Sequence, residues 1–235
     1  MKLIRSLFFN VFYITWTLFL SFIGCLLTPF PRRYASLNAR FWGKSTLWVL
    51  GWMVGLKYQV RGRENLPSDS RYIIASKHQS AFETIADHAI FPNPAYILKK
   101  ELLRIPLFGW NLLITGSIPI DRSSGTKAMR SILDGAKKRL DEGQCVIIFP
   151  EGTRTAPGAT ARYNPGVALL YEQCGVPIIP VVLNSGEFWK KNAFIKEPGL
   201  ITVDILPAMP EGLSKREFLE QLQDRIETAY KELPR

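Results

Sequence analysis

Only two side chains in this 235-residue sequence are imidazoles, and one of them, His78, precedes a carboxylate by five positions in SKHQSAFETIAD, residues 76–87. A histidine can accept a proton near neutral pH. A carboxylate that holds its ring fixes the tautomer and supports the positive charge that develops. His78 and Glu83 could therefore form the base-and-carboxylate part of a triad, without its nucleophile, because Ser80 has no G-x-S-x-G elbow around it. The same residues admit a plainer reading. Ser80 and Glu83 have the S-x-x-E spacing of a capping box, with Glu83 closing a helix N-terminus and His78 a loop residue ahead of it. On one continuous helix, positions five apart lie ~140° apart and would not face each other. They can meet only if a strand ends near Ser76, a loop carries His78 and the helix starts at Ser80. Both readings stay open on local pattern.

Three further stretches carry groups suited to binding an anion. FPEGTR (149–154) follows the apolar run CVII. Gly152 would let backbone N–H groups approach a ligand, and Arg154 can grip a phosphate through paired donors. GSIPIDR (116–122) is a short apolar strand ending in a charged pair. AYILKKELLRIPLFGW (95–110) sets Lys99, Lys100 and Arg104 beside an apolar segment. Taken singly, these are a solvated turn, an Asp–Arg surface turn and a basic amphipathic face.

The elements that would position these groups alternate in type. Short β-rich runs occur at 57–62, 71–76, 95–100, 145–150, 178–183 and 200–206, with helical patterns between several of them. Residues 125–142 carry Met129, Ile132, Leu133, Ala136 and Leu140 at three-to-four spacing and stop at Gly143. Phe218, Leu222, Ile226 and Tyr230 form a C-terminal stripe that opens on Ser214 and Glu217, a second capping-box spacing. This alternation predicts an α/β domain over 58–235 with a mixed, largely parallel sheet flanked by helices. No Walker or G-x-G-x-x-G loop is visible. Two histidines and three scattered cysteines offer little to a zinc site, so no metal is expected.

Residues 1–57 differ from the rest. Leu7 to Leu27 is uncharged for 21 residues, and a second apolar run covers 45–56. The net charge of +10 is concentrated here: nine Lys or Arg precede the first acidic residue, Glu64. A basic and apolar quarter suits an anionic membrane surface better than nucleic acid. No A-x-A-like site follows the first run, which disfavours a cleaved signal peptide. Basic flanks on every side favour a helical hairpin dipping into one leaflet, with its ends in the cytoplasm, over a true span.

Taken in chain order, three of these stretches and the apolar run VPIIPV resemble the boxes of the 1-acyl-sn-glycerol-3-phosphate acyltransferase family, glycerolipid enzymes with an H-x4-D box. His78 to Glu83 is similar to the first box, GSIPIDR to the second, FPEGTR to the third and VPIIPV (176–181) to the apolar fourth. The resemblance implies that His78 is the general base and Glu83, in place of the usual Asp, its orienting carboxylate. It implies that Lys99, Arg122, Glu151, Gly152, Thr153 and Arg154 bind substrate, with Lys99 and Arg154 on phosphate. Pro119 stands where an aromatic is usual and Lys77 where Asn often precedes the histidine, and Lys77 receives no role. The implied reaction passes an acyl group from an acyl-CoA or acyl-carrier-protein thioester to the sn-2 hydroxyl of lysophosphatidic acid, giving phosphatidic acid. It needs no cofactor and takes place at the inner membrane with the catalytic domain facing the cytoplasm. Two rivals remain: an acyltransferase or hydrolase acting on another lysolipid, and a basic membrane-binding module without chemistry.

Overall fold

A computed structural model describes residues 1–234. Two long helices come first, α1 (Lys2–Leu26) and α2 (Arg32–Met53), and the strands and helices that follow alternate. They are β1 (Leu56–Arg61), β2 (Ile73–Ser76), α3 (Phe82–Ile90), β3 (Pro94–Lys99), α4 (Phe108–Ile114), β4 (Ile118–Ile120) and α5 (Thr126–Asp141). Then come β5 (Cys145–Ile148), α6 (Pro165–Cys174), β6 (Ile178–Leu183), α7 (Ser185–Phe188), β7 (Gly199–Ile205) and α8 (Lys215–Glu232). All seven strands join one sheet in the order β1-β7-β6-β2-β5-β3-β4. The pairs from β6 to β4 are parallel, β7 runs antiparallel to β6, and β1 follows β7 in parallel. The expected mixed, largely parallel α/β sheet is the one observed.

Strict alternation along the strands divides the core into two layers. Ile74, Ile147, Ile179 and Val181 face α1, α2 and α3, whereas Ile73, Val146, Ile148 and Ile178 face α5, α6 and α8. Covering both faces explains why the central strands read as unbroken apolar runs. The boundary expected after residue 57 falls two residues into β1. The helices before it share the apolar cluster of the first layer through Phe9, Leu20, Trp42, Leu47 and Leu50. At Gly43 the backbone of α2 meets α3 so closely that a Cβ would stand 2.7 Å from the Ile85 carbonyl oxygen.

Parallel order has one consequence for function. The C-terminal ends of β6, β2, β5, β3 and β4 all point to one edge of the sheet, where open α/β folds place their ligands. The segments leaving that edge begin at Asn184, Lys77, Phe149, Lys100 and Asp121.

Candidate active site

Continuing the β2 alternation past Ser76 sends Lys77 toward the α8 face and His78 toward the opposite one. The Lys77 N–H still donates to the Val181 carbonyl at 2.9 Å, so the strand's pairing extends to this residue. Beyond it the chain turns, and α3 begins at Phe82 rather than at Ser80. This break brings the two groups of the first box together: His78 Nδ1 lies 3.0 Å from Glu83 Oε2. The cap is present in the same carboxylate, because the Ser80 N–H donates to Glu83 Oε2 at 2.8 Å. Ser80 Oγ accepts from the Phe82 N–H instead of from the third helical residue. Glu83 thus closes the helix start and holds the imidazole at once, and the two sequence readings are compatible.

Glu83 is fully buried. An ionised carboxylate there needs donors, and its second oxygen receives one from Ser185 Oγ, in the first turn of α7 after β6. The His78 ring stacks on Phe149 with centroids 3.9 Å apart and planes 16° apart, and its side chain remains 15% exposed. Backed by Glu83 at Nδ1 and by Phe149 on one face, the ring keeps a free edge. Since a carboxylate only accepts, Nδ1 carries the proton and Nε2 is the basic nitrogen.

The third box packs directly beneath the histidine. Glu151 is buried, and its Oε2 accepts from the His78 N–H at 2.8 Å. Its Oε1 accepts from Lys77 Nζ at 3.2 Å and from Thr155 Oγ1 at 3.1 Å. The Thr155 N–H returns a bond to the His78 carbonyl at 2.8 Å. Burial pushes the Glu151 carboxyl upward, against the pull of Lys77 and the other donors. Lys77, itself fully buried, also reaches Glu227 Oε1 on α8 at 2.6 Å and lies over the Tyr230 ring at 5.0 Å. The carboxylate that the family resemblance sets among substrate-binding groups therefore has both oxygens engaged inside the protein.

Gly152 turns the loop outward with φ +69°. A Cβ there would stand 2.6 Å from Asn164 Nδ2 and 3.9 Å from Arg122 Nη1, so the second and third boxes converge at this glycine. Thr153 is exposed and Arg154 half-buried, its carbonyl accepting from Lys191 Nζ at 3.2 Å. Lys99 closes β3 with its side chain in solvent, and Arg122 is also exposed. The neighbouring Lys100 pairs with Asp121, and that ammonium with Ser123 holds the Asp121 carboxyl down at about 2. Lys99, Arg122 and Arg154 thus sit on segments that leave the same sheet edge as His78 and make no ion pair among the described residues.

Ser185, Glu227 and Thr155 are not singled out by the sequence, and Lys77 is noted there without a role. Ser185 had a faint signal, a hydroxyl two residues after the last strand of the parallel set. Lys77 had the strand alternation. Nothing local points from Lys77 to Glu227, 150 positions away.

A parallel sheet whose C-terminal edge presents a carboxylate-backed histidine and a basic loop defines an acyltransferase, and residues 57–184 match the acyltransferase family model. The chain belongs to that family, and within it to the 1-acyl-sn-glycerol-3-phosphate acyltransferases. It is 37% identical over 209 residues to the enzyme of that name from Pseudomonas aeruginosa, covering 88% of this chain and 80% of the relative. It is 31% identical to the Saccharomyces cerevisiae enzyme, over 79% of this chain and 63% of the relative. The solved structure of the lysophosphatidic acid acyltransferase PlsC from Thermotoga maritima has the same fold. The two superpose with a TM-score of 0.82 at 22% identity, covering 99% of this chain and 97% of that one.

Proposed function

We propose that this protein transfers a fatty acyl group from a thioester to the sn-2 hydroxyl of 1-acyl-glycerol-3-phosphate, producing phosphatidic acid for phospholipid synthesis. The observation that carries this reading is the 3.0 Å contact between His78 Nδ1 and Glu83 on a ring with an open edge. Nε2 takes the hydroxyl proton as the oxygen attacks the thioester carbonyl. Glu83 supports the imidazolium that forms, itself held by hydrogen bonds from the Ser80 N–H and Ser185 Oγ. The tetrahedral intermediate collapses with cleavage of the C–S bond, and the imidazolium returns its proton to the departing thiolate. The carbon–oxygen bond formed replaces the carbon–sulfur bond broken, so no cofactor enters the balance. Arg154, Lys99 and Arg122 receive the acceptor's phosphate, while Glu151 and Gly152 shape the loop that presents them.

The reaction takes place at a membrane surface, the cytoplasmic face of the inner membrane. The exposed apolar side chains of α1 and α2 and the basic residues among them support that placement. Thiol release by the purified, detergent-solubilised protein, with and without lysophosphatidic acid, tests the reading. Release that depends on the lysolipid is expected, with phosphatidic acid as product. Equal release in its absence would indicate a hydrolase, and none with any lysolipid would leave a membrane-binding module. Arg154→Ala should raise the acceptor's KM and leave that of the thioester unchanged. A rise confined to the thioester would remove Arg154 from the phosphate.

A further inference from the structure

Away from His78, an open groove of about 560 Å³ runs between β4, the edge strand of the sheet, and α5. Lys127, Arg130, Lys138 and Arg139 line it, against one carboxylate, Asp134. Asp134 pairs with Arg130 at 3.7 Å, and Arg139 Nη1 with Glu142 at 2.6 Å. Lys127 and Lys138 make no ion pair among the described residues. Two polar atoms of lining residues are buried without a protein partner, Ser117 Oγ and Arg139 Nε. Ser117 as a whole is only 3% exposed. Those two atoms lie beneath the groove floor; at its surface, four cations, two of them unpaired among the described residues, suit an acceptor that carries several negative charges.

The placement narrows what that acceptor is. α5 packs in the layer opposite α1 and α2, so the groove opens to water and not to the lipid-facing helices. Lys127 and Lys138 are eleven residues apart on one helix, ~16 Å, enough to separate two anionic groups. The groove starts five residues after Arg122, whose guanidinium lies beside Gly152 in the active-site loop. Across the sheet, β4 is three strands from β2, ~14 Å, a span within reach of an extended pantetheine arm. A concave site of this volume suits a small molecule, whereas a stably docked carrier protein would need a wider surface, ~800 Å² per partner.

We propose that the β4–α5 groove binds the nucleotide end of acyl-coenzyme A. Its cations hold the 3′-phosphate and the diphosphate while the pantetheine carries the thioester along the sheet edge to His78. This rests on the acyltransferase reading above and names the donor that it leaves open.

The test uses the full chain in detergent and the variant Lys127→Gln/Arg130→Gln/Lys138→Gln, whose three side chains are exposed and outside the core. Calorimetry with adenosine 3′-phosphate 5′-diphosphate should show binding to the wild type and at least tenfold weaker binding to the variant. In turnover, the variant should raise the KM for acyl-CoA at least tenfold, leaving kcat and the KM for lysophosphatidic acid unchanged. With acyl-pantetheine, which lacks the nucleotide, variant and wild type should behave alike. No nucleotide binding to the wild type overturns the proposal, as does an equal loss with both thioesters. An effect confined to acyl-carrier protein overturns it in favour of a protein-docking face. The binding arm needs no turnover, so an inactive protein that still binds the nucleotide would sink the acyltransferase reading and leave the site standing.

Discussion

Glu83 receives hydrogen from three directions, the Ser80 N–H, Ser185 Oγ and His78 Nδ1, and is itself shielded from water. Each contact should leave a different kinetic trace. General-base catalysis contributes ~10²–10⁴-fold, so His78→Ala should lose at least that much in kcat. Glu83→Gln keeps the shape and removes the charge that supports the imidazolium, and it should lose less than His78→Ala. Ser185→Ala leaves Glu83 short of one donor but still in contact with the ring, which places its loss below that of Glu83→Gln. All three should act on kcat and spare both KM values. The measurement is steady-state turnover on the purified variants, and wild-type turnover in Glu83→Gln would take the carboxylate out of the mechanism.

The second histidine makes a contrast at the same scale. His88 is buried on α3 against Trp42 and Tyr96, with ring centroids 5.9 and 5.2 Å away, and burial lowers its pKa to about 4. The native state therefore stays unprotonated between about 4 and 6.5, where the unfolded chain binds a proton. Stability from this group is present above pH 6.5 and is lost as pH falls toward 4, by ~3 kcal/mol in all. The melting temperature of wild type relative to His88→Gln should accordingly drop across that window. A difference that stays constant from pH 7 to pH 4.5 would contradict it.

At the scale of elements, the buried Lys77 ties three of them together: the end of β2, the loop after β5 that carries Glu151, and α8 through Glu227. Removing one partner of a buried pair strands a charge and costs about 3–5 kcal/mol. Lys77→Met, which leaves Glu151 and Glu227 both without their cation, should fall in that range. Glu151→Gln, which leaves Lys77 paired with Glu227, should cost less. The double variant should cost less than the two together, because Glu151 is then no longer a stranded charge. Denaturant melts of the four proteins measure the coupling, and strict additivity would show that the pair contributes nothing jointly. Because Glu151 also holds the His78 N–H, Glu151→Gln should lower kcat without raising the acceptor's KM, unlike Arg154→Ala.

How far such elements could be read in advance depended on the range of the interaction. The seven apolar strands, the α5 stripe and the α8 capping box, with both Ser214–Glu217 bonds present, are local patterns and stand where the spacing put them. Pairing of His78 with Glu83 was legible as a possibility because only five residues separate them. The start of α3 at Phe82 instead of Ser80 reflects Ser80 turning its hydroxyl back to the Phe82 N–H. Glu151 looked like a ligand for substrate because its burial and its partners lie 73 and 74 positions upstream, beyond any periodicity.

For the whole molecule, the open question is how 25 residues of apolar helix sit against a membrane. By length α1 could cross, reaching ~37 Å. One flank is nevertheless bonded to protein along its whole course. The Lys196 N–H donates to Ser6 Oγ at 3.0 Å, Asn10 Nδ2 to the Phe194 carbonyl at 3.0 Å and Trp16 Nε1 to Ser45 Oγ at 2.8 Å. Near the other end, Asn38 Nδ2 donates to the Leu20 carbonyl at 3.0 Å and Asn111 Nδ2 to that of Ser21 at 2.7 Å. Crossing the bilayer would drag these partners, and the sheet behind them, into hydrocarbon or break the bonds there. The opposite flank carries Leu7, Phe8, Val11, Ile14, Leu18, Phe22 and Leu26, all exposed, and Trp48 and Trp52 of α2 stand more than two-thirds exposed beside it. From this we predict that the apolar flank of α1 lies in the plane of the interface, with the tryptophans at headgroup depth. Both ends of α1 should then be on one side of the bilayer. Single cysteines at Lys2 and Thr28, in a chain freed of Cys25, Cys145 and Cys174, should react alike with an impermeant maleimide added outside vesicles to which the protein has bound. Protection of one end but not the other would mean that α1 spans the membrane after all.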